Sequence, residues 1–241
     1  MRDNRASGAA DLALEALGIA EDWLASGLAV DELVGALETM HPAIATVRNV
    51  AREIRSSSGD PAKRIDQLRD SLRNGNRIIS KKVAQLIPAQ SVVITLSNSS
   101  TVRDALTALN PRGVYVMQSN PGGEGARMAE ALRSALGGGL GTRFIDLIPD
   151  DSIGRYVALC DCALVGIDSF DAGRSIWHKI GTRPLAGLCR ELGKPFYAAG
   201  HSLKRSDTEL ARVPPSDPET GLRLFDRTPG EWITGIITEA G

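Results

Sequence analysis

Residues 91–117, SVVITLSNSSTVRDALTALNPRGVYVM, decide the architecture. An apolar run rich in β-branched residues (91–96) is followed by a stretch with helical spacing (101–109) and then by a second apolar run (114–117). Neither apolar run alternates with polar residues, as expected of strands buried on both faces of a sheet. Two strands joined through one helix form a right-handed crossover, and hence a parallel pair. The unit recurs downstream. The pattern predicts helices over 125–136, 152–159 and 181–192, and strands over 144–148, 163–167 and 195–199.

Upstream, the first 88 residues read as helical. Leu12, Leu14, Leu17, Ile19, Trp23 and Leu24 give 9–25 an amphipathic pattern, and Leu33, Val34 and Leu37 do the same for 30–40. Pro42 suits the first turn of a helix carrying Ile44, Val47, Val50 and Ile54. Asp60 and Pro61 read as the cap and first turn of another helix, which runs to about 87. That helix is basic (Lys63, Arg64, Arg69, Arg73, Arg77, Lys81, Lys82), with Asp66 and Asp70 in partial balance, and reads as a solvated face. Gly75 is expected to break or kink it. Pro88 marks the change of regime. The fold class is α/β, with a helical N-terminal domain (1–88) followed by a Rossmann-like, mostly parallel sheet domain (89–241). Beyond His201 the chain is irregular and Pro-rich (Pro214, Pro215, Pro218), and 195–199 is the last clear strand. It closes with a capping-box pattern, Thr228 to Glu231, ahead of Trp232, Ile233, Ile236 and Ile237.

Composition narrows the function classes. Hydrophobic residues make up 42% and charged residues 24% of 241, an ordinary globular balance. A net charge of -1 and 4% aromatics argue against a nucleic-acid partner, leaving only the basic helix in its favour. No run approaches the roughly 20 apolar residues that span a bilayer, and MRDNRASGAADLALEAL lacks the apolar core of a signal peptide. Cys160, Cys162 and Cys189 fit a reducing compartment and small buried hydrophobes, not a zinc site. We expect a cytoplasmic location, no metal and no cofactor.

Polar residues follow each predicted strand. Ser97, Asn98, Ser99 and Ser100 follow the first. Gln118, Ser119, Asn120 and the run PGGEG (121–125), which includes Gly123, follow the second. Asp150 and Asp151 follow the third, Asp168 the fourth, and Gly200, His201 and Lys204 the fifth. In an open α/β sheet all would lie along the rim where ligands bind. Two of these loops feed helix N-termini, where backbone N–H groups and the helix dipole favour a phosphate. Residues 164–182, LVGIDSFDAGRSIWHKIGT, bring Asp168, His178 and Lys179 close in sequence. A strand-end carboxylate is ordinarily a turn cap, but beside a His and a Lys it suits proton chemistry on an anionic substrate.

Here the chain resembles a known family. The carrying segments are TLSNSSTVRDAL (95–106), VYVMQSNPGGEGARMAEAL (114–132), ALVGIDSFDAGRSIWHKIGTRPLA (163–186), KPFYAAG (194–200) and LFDRTPGEWITGIITEAG (224–241), with HPAIATVRNV (41–50) upstream. They resemble the family that contains the alpha, beta and delta regulatory subunits of the initiation-factor-2B exchange complex. The same family holds ribose-1,5-bisphosphate isomerase and 5-methylthioribose-1-phosphate isomerase. The resemblance implies a helical N-terminal domain on a Rossmann-like domain, and assembly as a homodimer or homohexamer. It implies that Asp168 matches the acid or base of the isomerases, and that Lys179 and Gly181 match the family's KIG. Ser97 stands where the isomerases carry a catalytic Cys, Asn120 where they carry a phosphate-binding Arg, and His178 where they carry an Asn.

Two readings follow. In one, the protein binds a phosphorylated sugar or related small anion and acts as an aldose–ketose isomerase. Asp168 moves the proton, with Ser97 and His178 beside it, and Asn98, Ser99, Ser100, Asn120, Gly123, Lys179 and Lys204 bind ligand. In the other, it is a noncatalytic regulatory or assembly subunit that retains the pocket.

Overall fold

The computed structural model describes residues 9–40, 45–57, 60–137, 143–206 and 223–240. The chain begins with helices α1 (Ala9–Ala25), α2 (Val30–Met40), α3 (Ala45–Arg55) and α4 (Pro61–Leu86). Asp60 caps α4 by accepting a hydrogen bond from the Ala62 N–H at 2.9 Å, with Pro61 in the first turn. Pro42, expected to open α3, lies outside the described residues. The next units are β1 (Val92–Thr95), α5 (Ser100–Leu109), β2 (Gly113–Met117), α6 (Glu124–Leu136), β3 (Phe144–Ile148), α7 (Ile153–Leu159) and β4 (Cys162–Gly166). After β4 come β5 (Ser169–Phe170), β6 (Ile176–Lys179), α8 (Thr182–Glu191), β7 (Phe196–Ala199), β8 (Phe225–Thr228) and β9 (Gly235–Ile237).

The main sheet has the order β3-β2-β1-β4-β7-β9, and every neighbouring pair is parallel. Alternate side chains of its central strands enter different cores. Val93, Val114, Val116 and Leu164 face α5, α6 and the second half of α4, meeting Leu106, Met128, Ile79 and Val83. Val92, Ile94, Ala163 and Val165 face α7 and α8, meeting Val157, Leu185 and Cys189. This is a doubly wound sheet covered on both faces, the predicted α/β class. The three cysteines are buried and unpaired, and burial raises the Cys160 thiol to about 11 and those of Cys162 and Cys189 to about 12. Among the described residues no helix is long and apolar enough to cross a membrane.

A third apolar cluster joins α1, α2 and α3 to the first half of α4 through Leu17, Leu33, Val50, Ile65, Leu68 and Leu72. Helix α4 therefore belongs to two cores. The basic residues on it are solvated or paired, as in Arg69 with Glu21 at 2.5 Å and Arg64 with Glu53. Gly75 does not break α4, which runs unbroken to Leu86. It is buried because the ring of His201 fills its side-chain space: a Cβ there would lie 2.5 Å from His201 Cε1.

The C-terminal segment also differs from expectation. The residues after Thr228 form a single 3-10 turn (Gly230–Trp232) and then β9, a sixth parallel strand, in place of a helix. The loop after β4 is not merely polar. It forms β5 and β6, which with β8 make a small antiparallel sheet. Its pairs are Ser169 with Trp177, and His178 with Asp226. Strands this short carry too few residues to display a period.

Two glycines give contrasting expectations. A Cβ on Gly125 would lie 1.8 Å from the Met117 backbone oxygen, which cannot rotate away. Gly125→Ala should therefore cost about 3 kcal/mol. At Gly75 the better helix propensity of Ala returns about 1 kcal/mol against an overpacking cost of about 1–3 kcal/mol. Urea unfolding should show Gly75→Ala as mildly destabilising and Gly125→Ala as clearly worse. A stabilised Gly75→Ala would mean that His201 does not pack on α4.

Candidate functional site

The strand order reverses at β1. From there the chain moves out to β2 and β3, then returns to β1's other side as β4. Loops after β1 and β4 diverge at such a point and open a crevice at the strands' carboxyl ends. The β1–α5 loop carries Ser97 to Ser100. Ser97 adopts a left-handed backbone (φ 64) and its N–H donates to Ser119 Oγ at 2.7 Å. Ser119 is also left-handed (φ 66), and its hydroxyl donates to Met117 O at 3.0 Å. Each such non-Gly conformation costs on the order of 1 kcal/mol and needs its surroundings to hold it. Asp150, after β3, supplies that hold by accepting from the N–H groups of Ser119 at 2.8 Å and Asn120 at 2.7 Å.

Ser99 is the N-cap of α5, though its Oγ accepts from Val102 N only at 3.4 Å. Asn98 Oδ1 is buried without a hydrogen-bond partner among the described residues. Asn120 is exposed, and its side chain reaches Gln118 at 3.4 Å. Gly123 is the left-handed N-cap of α6 (φ 64), a conformation that suits a residue without Cβ.

The second half of the site comes from the small sheet. Asp168 is half-buried, its N–H bonded to Trp177 O at 2.9 Å, and its carboxylate accepts no hydrogen bond among the described residues. His178 on β6 is 4% exposed. Its Nδ1 lies 3.0 Å from Thr182 Oγ1. The Thr182 hydroxyl donates to Lys179 O at 2.6 Å, so it receives a proton from the ring. Nδ1 is thus the protonated nitrogen and Nε2 carries the lone pair. A Cβ on Gly166 would lie 2.8 Å from that Nε2 and 3.0 Å from Ser99 Oγ. The bare glycine lets the two side chains converge over β4. Burial lowers the His178 pKa to about 4; Asp168 and Glu124 act against this, and Lys204 and Lys179 with it. The ring is therefore neutral at pH 7.

Both lysines are buried and engaged. Lys179 (5% exposed) donates to the Pro121 carbonyl and pairs with Glu124 Oε1 at 2.9 Å. Lys204 (5% exposed) donates to the carbonyl of Ile167, next to Asp168. Asp226 anchors the start of α8 by accepting from the N–H groups of Gly181 at 3.0 Å and Arg183 at 3.1 Å.

The structure thus gathers Ser99, Asp168, His178, Lys179 and Lys204 around the ends of β1 and β4. It leaves Asn120 on the outer surface. Glu124, Thr182 and Gly166 escaped the sequence reading. Glu124 stood there only as one residue of the run 121–125, with no role assigned. The four-residue spacing of His178 and Thr182 was the available sign of their contact. Among the described residues no cluster of His, Cys, Asp and Glu could hold a metal ion. Two surface depressions lie away from this site, one between α8 and Trp232 and one between α5 and α6.

Comparison with known proteins agrees with this architecture. The initiation factor 2 subunit family matches residues 29–218. A translation initiation factor eIF-2B subunit 2-like protein of Pyrococcus horikoshii is 30% identical, covering all of this chain and 92% of its own length. The crystal structure of the translation initiation factor eIF-2B of P. horikoshii superposes with a TM-score of 0.81 at 27% identity, over all of this chain and 92% of that one. Ribose 1,5-bisphosphate isomerase of Archaeoglobus fulgidus is 30% identical over 62% of this chain, which spans 52% of that enzyme's length. With the family match covering most of its length, the chain belongs to the initiation factor 2 subunit family.

Proposed function

We propose that this protein binds a phosphorylated sugar or a related small anion where the sheet order reverses, and that Asp168 transfers a proton on it in an aldose–ketose isomerisation. The observation that carries the reading is the convergence of His178 Nε2 and Ser99 over Gly166, beside a carboxylate that accepts no hydrogen bond among the described residues. The phosphate sits at the N-terminus of α5, against Ser99 and Ser100, where the weak Ser99 cap is readily exchanged for an anion. Asp168 takes the proton from C2 and returns it to C1, while the proton of the C2 hydroxyl passes to the C1 oxygen, so that the carbonyl moves from C1 to C2. Neutral His178 accepts a hydrogen bond from the substrate hydroxyl through Nε2, and Ser97 positions the loop. The protein has two units, 1–88 and 89–241, and the second carries the ligand and the subunit contacts of a homo-oligomer.

One observation favours a second reading, a noncatalytic regulatory or assembly subunit. The charge of Lys179 is already matched by Glu124.

Two measurements separate these readings and test the site. Solvent proton exchange into C2 of a sugar-phosphate panel should occur with the wild type and fall at least ~100-fold in Asp168→Asn. Thermal stabilisation by the same compounds without exchange would establish the second reading. The buried neutral His178 also links folding to pH. Its pKa is about 4 in the folded chain and near ~6.5 when unfolded, so between these values only the unfolded form gains the proton. Stability should therefore fall as pH drops from ~6.5 to about 4, by on the order of 3 kcal/mol from this group. His178→Asn should flatten that slope in urea titrations. Asp226, raised by burial to about 6, acts in the opposite sense and is common to both proteins.

A further inference from the structure

Lys179 is the cation placed to meet a second anionic group on a ligand, yet it is not available as a full charge. Its Nζ lies 2.9 Å from Glu124 Oε1 and donates also to Pro121 O. Glu124 is the first residue of α6, so its carboxylate already occupies the position that the helix dipole offers an anion. Its other oxygen, Oε2, is buried and has no hydrogen-bond partner among the described residues. Negative charge brought to this end would meet a buried carboxylate oxygen that accepts no hydrogen bond among the described residues, and a lysine whose charge is already matched. The other groups around His178 do not reverse that balance. Lys204 donates a hydrogen bond to Ile167 O on the β4 side, and its charge is offset in number by the Asp168 carboxylate.

We propose that Glu124 is a specificity-determining residue that restricts the ligand to one anionic end, so that the site takes a sugar monophosphate and rejects a bisphosphate. The inference rests on the phosphorylated-ligand reading above. The phosphate is held at the start of α5, and the far end of the sugar, at the start of α6, must be uncharged. Glu124 does this without touching the reacting carbons. It presents its own negative charge at the N-terminus of α6 and neutralises Lys179.

The test uses ribose 5-phosphate and ribose 1,5-bisphosphate as probes in titration calorimetry with the full chain. The wild type should bind the monophosphate at least tenfold more tightly than the bisphosphate. Glu124→Gln keeps the shape, leaves Lys179 uncompensated and supplies an N–H donor where Oε2 stood. It should narrow that gap at least tenfold by tightening the bisphosphate. The double variant Glu124→Gln/Lys179→Gln removes both charges, restores the balance and should return the preference toward that of the wild type. It also guards against misreading a folding defect caused by an unpaired Lys179, with melting temperature followed for each protein. Binding of both probes with an unchanged ratio in Glu124→Gln would overturn this inference alone. No binding of either probe to any of the proteins would overturn the ligand reading and this inference with it.

Discussion

Parallel strands joined by right-handed crossovers can be wound outward from a starting strand in two directions, and this sheet uses both. β1 is the starting strand. α5 and α6 cover one face on the way out to β3, and α7 and α8 cover the other on the way across to β9. Because the two windings leave β1 and β4 on opposite faces, no connection crosses the carboxyl ends of these neighbouring strands. The crevice is a by-product of chain handedness. The loops, the left-handed serines and the small antiparallel sheet are attached to its rim.

That origin explains which parts could be read from the sequence. The central strands are apolar throughout, and each is separated from the next by one helix, so class and winding were legible from residues 91–117 onward. β5, β6, β8 and β9 were not, because each is set by its strand partners and not by an apolar run lying between two helices. The capping-box pattern at Thr228 forms no cap: among the described residues its hydroxyl is buried without a hydrogen-bond partner, and the chain makes one turn and then a strand, since β7 offers a free edge to Gly235–Ile237. Gly75 shows the same limit in a helix. Its local effect is to weaken α4, whereas its role comes from His201, a residue far along the chain.

At the site, residue types were legible and their engagements were not. Asp168, His178 and Lys179 stood out because a carboxylate, an imidazole and an amine fall close together after one strand. Nothing in the run KIGT says that Thr182 fixes the tautomer of His178, or that Lys179 spends its charge on a glutamate more than fifty residues earlier. These pairings decide whether a polar cluster is an open site or a closed structural one. Here the two outcomes are mixed: the lysines are engaged, while the lone pair of His178 and the carboxylate of Asp168 make no hydrogen bond among the described residues.

Helix α4 has a mechanical consequence. Its 26 residues make a rod of about 39 Å, one half set in the core of α1 to α3 and the other in the face of the sheet. A hinge between these two cores would have to lie within a continuous, hydrogen-bonded helix. Bending it there would break backbone bonds and expose one core or the other. The helical layer is thus splinted to the sheet, and any movement of it is transmitted as a tilt of the whole rod. That rod contacts α5 through Asn76, which accepts from Thr101 and donates to Asp104. One rod thus ties the core of the N-terminal helices to the first turn of the helix that begins at Ser100.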